Sequence, residues 1–283
     1  LDTFGQQFGS EFMKIAGILN VTEDSFSDGS LYLDTQSAID HADKLIKNGA
    51  DVIDIGAQSS NINAKLISDE AEWGRILPIV EYLQNKKIPI SIDSFKPNVI
   101  QKAILQKVDY INNINAFQEP EILEVLSNSK PYLPELILMF SHSRGGIARL
   151  GSSLGVENII DEISKFFDER ISDLHSIGVP YEKLIFDPGM GFFLGENPEL
   201  SIKVLSEIQT LKKRYPRLYV SVSRKSFLGN LLGGVPPSER ENATLAAEIY
   251  LFQSKIEWIR THEPLKIKQS MIILNKIYRE IEK

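Results

Sequence analysis

The sequence predicts an α/β chain folded as a single closed (β/α)₈ barrel. Short β-branched runs alternate with helical patterns eight times along the chain. The strand-like runs are almost continuously apolar, as parallel strands buried on both faces are. The 283 residues fit a fold that takes about 250. An open doubly wound sheet is the alternative. The first strand-to-helix turn speaks against it, because no G-x-G-x-x-G follows the first strand.

The first strand is expected over Lys14–Val21. A helix follows, with Ala38, Ile39, Ala42, Leu45 and Ile46 at the helical period, Asp34 or Thr35 placed to cap it and Gly49 closing it. Asp51–Ala57 reads as strand two and Asp69–Leu83 as helix two. Pro89–Phe95 is strand three, and helix three runs over Pro97–Gln106, with proline in its first turn. Tyr110–Phe117 is strand four, followed by a short helix from Pro120. Leu136–Ser141 is strand five, and the fifth helix runs from Val156 to Ser176. The sixth unit is Leu184–Pro188 with Pro198–Arg214, and the seventh Tyr219–Ser223 with Glu239–Gln253. Glu257–His262 and Pro264–Glu282 complete the eighth.

Hydrophobic residues make up 42% of the chain, enough for one large core. The net charge is −7, and no basic stripe offsets it, so a nucleic-acid partner is not expected. No apolar run approaches the ~18 residues that span a bilayer. Cysteine is absent, which removes disulfides and thiolate chemistry. A cytoplasmic setting is expected. Residues 1–12 lack any strand or helix period and are expected to be a tag or a disordered extension, leaving 13–283 as one barrel domain.

In such barrels the chemistry sits at the C-terminal ends of the strands. Every strand here ends in polar groups. These are Asn20, with Asp24 and Asp28 beyond it; Asp54, then Gln58-Ser59-Ser60-Asn61; Asp93; Asn112; Ser141-His142-Ser143-Arg144; Asp187; Arg224-Lys225-Ser226; and Arg260-Thr261-His262. A single strand-end aspartate usually caps a helix, but eight strands ending this way point to a ligand. Asp54 could face the helix layer instead, and Asn113 should alternate away from Asn112.

Two chemical groups emerge. Asp93, Asn112, Asp187 and Lys225 offer carboxylate, amide and cation together, which suits a flat heterocycle with an amino-pyrimidinone edge. Asn20, Arg260 and His262 lie on strands one and eight, neighbours in a closed barrel, and suit a phosphate or diphosphate. No H-E-x-x-H helix or P-loop is present. A Schiff base on Lys225 is a further alternative. His41 and His175 fall on helices, away from the strand ends.

These motifs have a family. The run from Gly17 to Asp28, Gly49–Gly56, Ile92-Asp93-Ser94, Ile111–Ile114, Asp187–Phe192, Ser223–Ser226 and Arg260-Thr261-His262 resemble, in order, the signatures of dihydropteroate synthases. The resemblance covers about residues 14 to 280. It implies condensation of 6-hydroxymethyl-7,8-dihydropterin diphosphate with 4-aminobenzoate, giving 7,8-dihydropteroate and diphosphate in folate biosynthesis.

It further implies that Asp93, Asn112, Asp187 and Lys225 bind the pterin, with Met139 and Phe192 packed near its ring. Asn20, Arg260 and His262 would hold the diphosphate, and Asn20 would also reach Mg²⁺. Lys225 and Ser226 would face the aminobenzoate. Asp93, Asp187 and Lys225 are the expected catalytic residues, the two carboxylates stabilising a cation-like carbon as diphosphate leaves. A homodimer is implied as well. The rivals are a pterin-binding methyltransferase on the same barrel and a non-catalytic pterin-binding protein.

The sequence departs from the family pattern in places. After strand two, Gln58-Ser59-Ser60-Asn61-Ile62-Asn63 stands where the family has Glu-Ser-Thr-Arg-Pro-Gly, so an expected arginine is missing. Glu23 replaces a proline, Phe140 a histidine, and Phe193-Leu194 a Gly-Lys pair. This set resembles the acquired, sulfonamide-insensitive branch of the family.

Overall fold

Eight parallel strands wrap around a filled interior in the computed structural model, which describes residues 13–22, 31–58, 66–142 and 154–281. The elements are β1 (Lys14–Asn20), α1 (Leu31–Lys47), β2 (Val52–Gly56), α2 (Asp69–Asn85), β3 (Ile90–Asp93), α3 (Pro97–Leu105), β4 (Tyr110–Asn113), α4 (Pro120–Ser127) and β5 (Glu135–Met139). There follow α5 (Ile159–Ser176), β6 (Leu184–Asp187), α6 (Pro198–Ser206), α7 (Ile208–Arg214), β7 (Tyr219–Val220), α8 (Ser226–Leu231), α9 (Glu241–Gln253), β8 (Trp258–Thr261) and α10 (Pro264–Ile281). The strand order is β6-β5-β4-β3-β2-β1-β8-β7. The remaining seam is joined by the Phe186–Leu218 bridge and by Phe186 N–H donating to Arg217 O at 2.9 Å. The expected barrel is therefore present, with β6 and β7 as its loosest pair.

Strand parity divides the core in two. Ile15, Leu19, Ile53 and Ile55 belong to the large cluster packed under the helices. Ala16, Val52, Ile137, Ile185, Tyr219 and Trp258 fill the barrel interior as its floor. Tyr110 meets the Trp258 ring edge-on at 5.3 Å, and Lys14 Nζ lies 4.5 Å from the same ring. Above this floor the inward positions become polar, and that transition creates the mouth.

Helix starts follow their chemistry. Ser68 caps α2 by accepting from Ala71 N–H at 3.2 Å, with Asp69, Glu70 and Glu72 in the first turn. Prolines open α3, α4, α6 and α10, where a missing N–H costs nothing.

Several boundaries differ from expectation. α1 begins at Leu31, so Asp34 and Thr35 lie inside it rather than capping it. β4 stops at Asn113 and not at Phe117, because Asn113 Oδ1 accepts from Asn115 N–H at 2.8 Å and Phe117 N–H at 3.1 Å. Those side-chain bonds withdraw the backbone from the ladder, and Ala116 and Phe117 turn with φ of 49° and 58°. The sixth helix is two helices, broken at Glu207. β7 is only two residues long, and α8 is an additional helix. Residues 1–12 and the loop residues Glu23, Asp24, Asp28, Ser59, Ser60, Asn61, Ser143 and Arg144 lie outside the described residues. No described helix is long and apolar enough to cross a membrane.

Candidate active site

The central feature of the barrel mouth is a chain of buried and half-buried charges. Arg260, from β8, places Nε 2.5 Å from Asp54 Oδ2 and Nη2 2.7 Å from Asp93 Oδ2. Asn112 Nδ2 donates to the same Asp54 oxygen at 3.2 Å. Asp54 is fully buried and shares the inward parity of Val52. It therefore faces the barrel interior and not the helix layer, contrary to the alternative its sequence position allowed. The arginine in β8 supplies the reason, since a buried guanidinium needs carboxylate partners.

Asn113 does alternate outward. Its side chain donates to Ser94 O at 3.2 Å and organises the turn after β4. Ser94 Oγ in turn donates to the buried Glu72, which is paired with Lys96 at 2.9 Å. This second network braces the end of β3, and hence Asp93, from behind.

Asp187 ends β6, where Gly189 N–H donates to its Oδ1 at 2.8 Å. That turn requires glycine. Gly189 has a φ of +70°, and a Cβ there would lie 2.2 Å from Phe140 O. Gly191, with a φ of +65°, lets Ser226 Oγ and the Lys225 side chain come within contact distance. Lys225 is carried into the mouth by Arg224, which has a φ of 59°. Arg224 is held there by three bonds: its N–H donates to Thr244 Oγ1, its side chain pairs with Glu263 at 2.7 Å, and its carbonyl accepts from Arg240.

Burial sets the protonation of this site. It raises Asp93 to about 7, opposed by Arg260 and reinforced by Asp54 and Glu72. It raises Asp187 to about 6, opposed by the Gly189 hydrogen bond and Lys225. It lowers Lys225 to about 8, with Arg260 acting in the same direction. Burial also works against the charge on Arg260, but Asp54 and Asp93 outweigh it and hold the guanidinium ionised. His262 is pushed down to about 3 by burial and by the cations Arg224, Arg260 and Lys225, so its ring is neutral at physiological pH.

Asp93, Asn112, Asp187, Lys225, Ser226, Arg260 and His262 all stand at this end of the barrel, as does Asn20 at the end of β1. The two chemical groups read from the sequence are not separate. Arg260, assigned with Asn20 and His262, is bonded to Asp93 of the other group.

The aromatic wall holds two phenylalanines in different settings. Phe192 is 37% exposed, whereas Phe193 is buried and packs with Met139, Ile114 and Phe95. Gly191–Phe193 is a single 3₁₀ turn, in which successive side chains point about 120° apart, so only one of the two phenylalanines can face Met139. Phe193 is fixed in place by its carbonyl, which accepts from His142 N–H at 3.0 Å and contacts His142 Nδ1 at 3.0 Å. Lys225 Nζ lies 4.6 Å from its ring.

Sequence reasoning missed Ser223, whose Oγ lies 2.9 Å from His262 Nδ1. It lies two residues before Lys225, and only the three-dimensional pairing of β7 with β8 reveals its partner.

Comparison with known proteins agrees with this geometry. The family model described as "Pterin binding enzyme" matches residues 16–262. The chain is 43% identical to "Dihydropteroate synthase type-3" of Escherichia coli, over 92% of this chain and 97% of that protein. It is 41% identical to "Dihydropteroate synthase type-2" of Escherichia coli, over 92% and 94% respectively. Among solved structures, the Yersinia pestis dihydropteroate synthase in complex with a sulfonamide drug superposes with a TM-score of 0.83, at 30% identity and 94% coverage of both chains.

Proposed function

The chain belongs to the pterin-binding enzymes and, within them, to the dihydropteroate synthases, and from that membership we propose how its barrel mouth divides the work. The enzyme is a transferase of folate biosynthesis. It joins 6-hydroxymethyl-7,8-dihydropterin diphosphate to 4-aminobenzoate, giving 7,8-dihydropteroate and diphosphate.

The observation that carries the allocation is the Asp54–Arg260–Asp93 chain of contacts at the centre of the mouth. On one side stand Asn112, Asp187 and Lys225, which we assign to the pterin. Gly189 occupies one oxygen of Asp187 and leaves the other as an acceptor for a ring N–H. Lys225 supplies a cationic donor for the ring carbonyl. On the other side, Asn20 and His262 receive the diphosphate, and Arg260 spans both halves. Ser226, beside Gly191, faces the amine substrate with Lys225.

An aniline nitrogen is already nucleophilic, so no strong base is required. The demanding step is departure of the diphosphate, and donors aimed at its oxygens lower that barrier. Neutral His262 serves as a hydrogen-bond donor and Arg260 as a fixed charge. Asp93 and Asp187 stabilise the positive charge left on the pterin side. Asp187 is buried and Asp93 half-buried, and away from bulk water each electrostatic contact is strengthened.

Mg²⁺ is proposed as the metal, and Asn20 is the residue to hold it. Asn20 offers an exposed amide oxygen at the end of β1, and across from it Gly56 has no side chain to fill the space toward Asp93. No group of three His, Cys, Asp or Glu side chains among the described residues forms a metal cage. That fits a cation bound mainly through phosphate oxygens and water. Bound there, Mg²⁺ would neutralise charge on the leaving group.

We assign sulfonamide discrimination to the fixed Phe193 ring together with the altered sequence after β2. A sulfonamide extends beyond the point where the aminobenzoate carboxylate ends, so a bulky wall there clashes with the drug and spares the substrate. For assembly we propose a homodimer. Its supporting feature is an apolar face across α6, α8 and α9 that includes Ile202, Leu231, Leu232 and Tyr250, each more than a third exposed. Sedimentation at micromolar concentration should give twice the 31.9 kDa monomer mass. A monomer there contradicts the assignment.

The catalytic allocation is tested by separating the two halves of the substrate. Asp187→Ala should lose binding of the bare pterin, whereas His262→Ala should keep it and lose the added affinity of the diphosphate. Equal effects of both variants on both ligands would overturn the allocation.

A further inference from the structure

Lys225 and Ser226 reach the mouth at the start of α8, a helix of only six residues. So short a helix is marginal alone and takes its pose from its surroundings. It also follows a residue in a sparsely populated conformation, since Arg224 has a φ of 59° without being glycine. At its other end Gly233 and Gly234, with φ of 80° and 93°, turn the chain back.

Arg240, at the start of α9, spans this element. Its Nη1 donates at 2.9 Å to Arg224 O, the carbonyl just ahead of Lys225. Its Nε donates at 3.0 Å to Val235 O, beyond the glycine turn. One guanidinium thus joins the residue that leads into α8 to the segment that leaves it. Between those two bonds it lies against Gly229. A Cβ at Gly229 would meet Arg240 Nε at 2.3 Å, and Cζ and Nη2 at 2.5 Å, so this seat depends on the missing side chain. One turn along α9, the buried Thr244 accepts from Arg224 N–H at 3.0 Å, and Thr244 N–H itself donates to Arg240 O at 2.8 Å. Both the N–H and the C=O of Arg224 are therefore bonded to side chains of the same helix start. A planar guanidinium with several fixed donors suits two carbonyls at once, whereas an ammonium is a single point.

We propose that Arg240 is a positioning residue: by clasping Arg224 O and Val235 O across Gly229 it fixes the pose of α8, and so sets where Lys225 and Ser226 stand against the substrates. This rests on the assignment of Lys225 and Ser226 to the pterin and the amine. The bonds of Arg240 go to backbone carbonyls and not to those residues, so it acts through them. The fit it protects is close. Lys225 Nζ lies 4.6 Å from the Phe193 ring, and Ser226 Oγ stands 2.9 Å from where a Cβ on Gly191 would be. A shift of α8 by about 1 Å would spoil such a fit and cost on the order of a hundredfold in rate at worst.

The test is a double-mutant cycle in the full-length enzyme. Gly229→Ala places a methyl where the guanidinium lies, so it should displace Arg240 and act like Arg240→Ala, each lowering kcat/KM for both substrates at least tenfold. In the Arg240→Ala background the methyl meets none of those atoms, and alanine suits a helix better than glycine. There Gly229→Ala should cost less than twofold. Binding of inorganic diphosphate, assigned to Asn20, Arg260 and His262, should stay within twofold of wild type in all three variants. Hydrogen exchange read by mass spectrometry should rise at least tenfold over residues 226–232 in Arg240→Ala, with α2 unchanged. Thr244→Val releases the other side of Arg224 and should raise exchange over the same residues, which covers the case of an Arg240→Ala chain that folds poorly. Losses that multiply in the double variant would overturn the proposal. So would unchanged exchange over α8 in both Arg240→Ala and Thr244→Val. Exchange reports the clasp whether or not Lys225 serves the pterin, and pterin binding by Lys225→Met reports that service whether or not the clasp exists, so the two readings can fail separately.

Discussion

Arg260 Nε lies 2.5 Å from Asp54 Oδ2, and this contact ties the mouth of the barrel to the layer just above its apolar floor. Asp54 is fully buried and also accepts from Asn112. Removing it leaves the guanidinium with Asp93 as its remaining carboxylate partner and the Asn112 amide without this acceptor. Asp54→Ala should therefore lose about 3–5 kcal/mol of stability. Urea denaturation of the variant and the wild type measures this. A loss under about 1 kcal/mol would mean that Asp93 alone balances Arg260.

Asp187 illustrates the opposite trade. Its carboxyl, raised to about 6, is harder to ionise in the folded protein than in the unfolded chain. The stability it offers as a neutral acid is complete below the unfolded value and is lost as pH rises through about 6. At pH 7.5 the ligand-free enzyme therefore carries a strained charge. Asp187→Asn, neutral in both states and still able to accept from Gly189, should stabilise the free enzyme on the order of 2 kcal/mol. The same variant should bind pterin at least tenfold more weakly. Thermal denaturation at pH 5 and 7.5 checks the sign: the gain should be full at 7.5 and about half as large at 5, which lies between the unfolded and folded values.

Substrate capture should follow a bell in pH. Asp187 and Asp93 must ionise to accept pterin N–H groups, and they do so through about 6 and about 7. Lys225 must remain charged, and it loses its proton through about 8. kcat/KM for the pterin diphosphate should thus rise from pH 5 to 7 and fall above 8. Lys225→Arg should move the alkaline limb upward, because guanidinium does not titrate there. An alkaline limb that stays in place would assign it to another group.

Phe193 is the residue on which the drug prediction rests. Phe193→Gly should open the wall beside Met139 and Lys225 and increase sensitivity to sulfamethoxazole at least tenfold, with a smaller change in KM for 4-aminobenzoate. Inhibition measured at fixed 4-aminobenzoate decides it. If the variant resists as the wild type does, the discrimination lies in the sequence after β2 and not in Phe193.

The fold was legible because apolar runs and helical periods are local signals, and Asp93, Asn112, Asp187 and Lys225 were legible because a barrel concentrates strand-end polarity. What escaped depends on parity or on pairing across strands. The inward face of Asp54 follows from its register with Ile18 and Ser91, which a single strand does not display. The packing of Phe193 against Met139 came from one 3₁₀ turn, where a step of one residue swings the side chain to another wall. The early end of β4 came from Asn113 bonding its own backbone, a competition between side chain and ladder that apolar patterning cannot reveal. Ser223 is distant from His262 in sequence, so its link to it exists only in the folded barrel.

The most direct test of the account is diphosphate release from 6-hydroxymethyl-7,8-dihydropterin diphosphate, followed with and without 4-aminobenzoate and with and without a Mg²⁺ chelator. The account predicts one diphosphate per 7,8-dihydropteroate, dependence on the amine, and loss of turnover in excess chelator, with Arg260→Ala and His262→Ala slowed at least a hundredfold. Release that ignores the amine, or turnover that persists in chelator and in both variants, would contradict it.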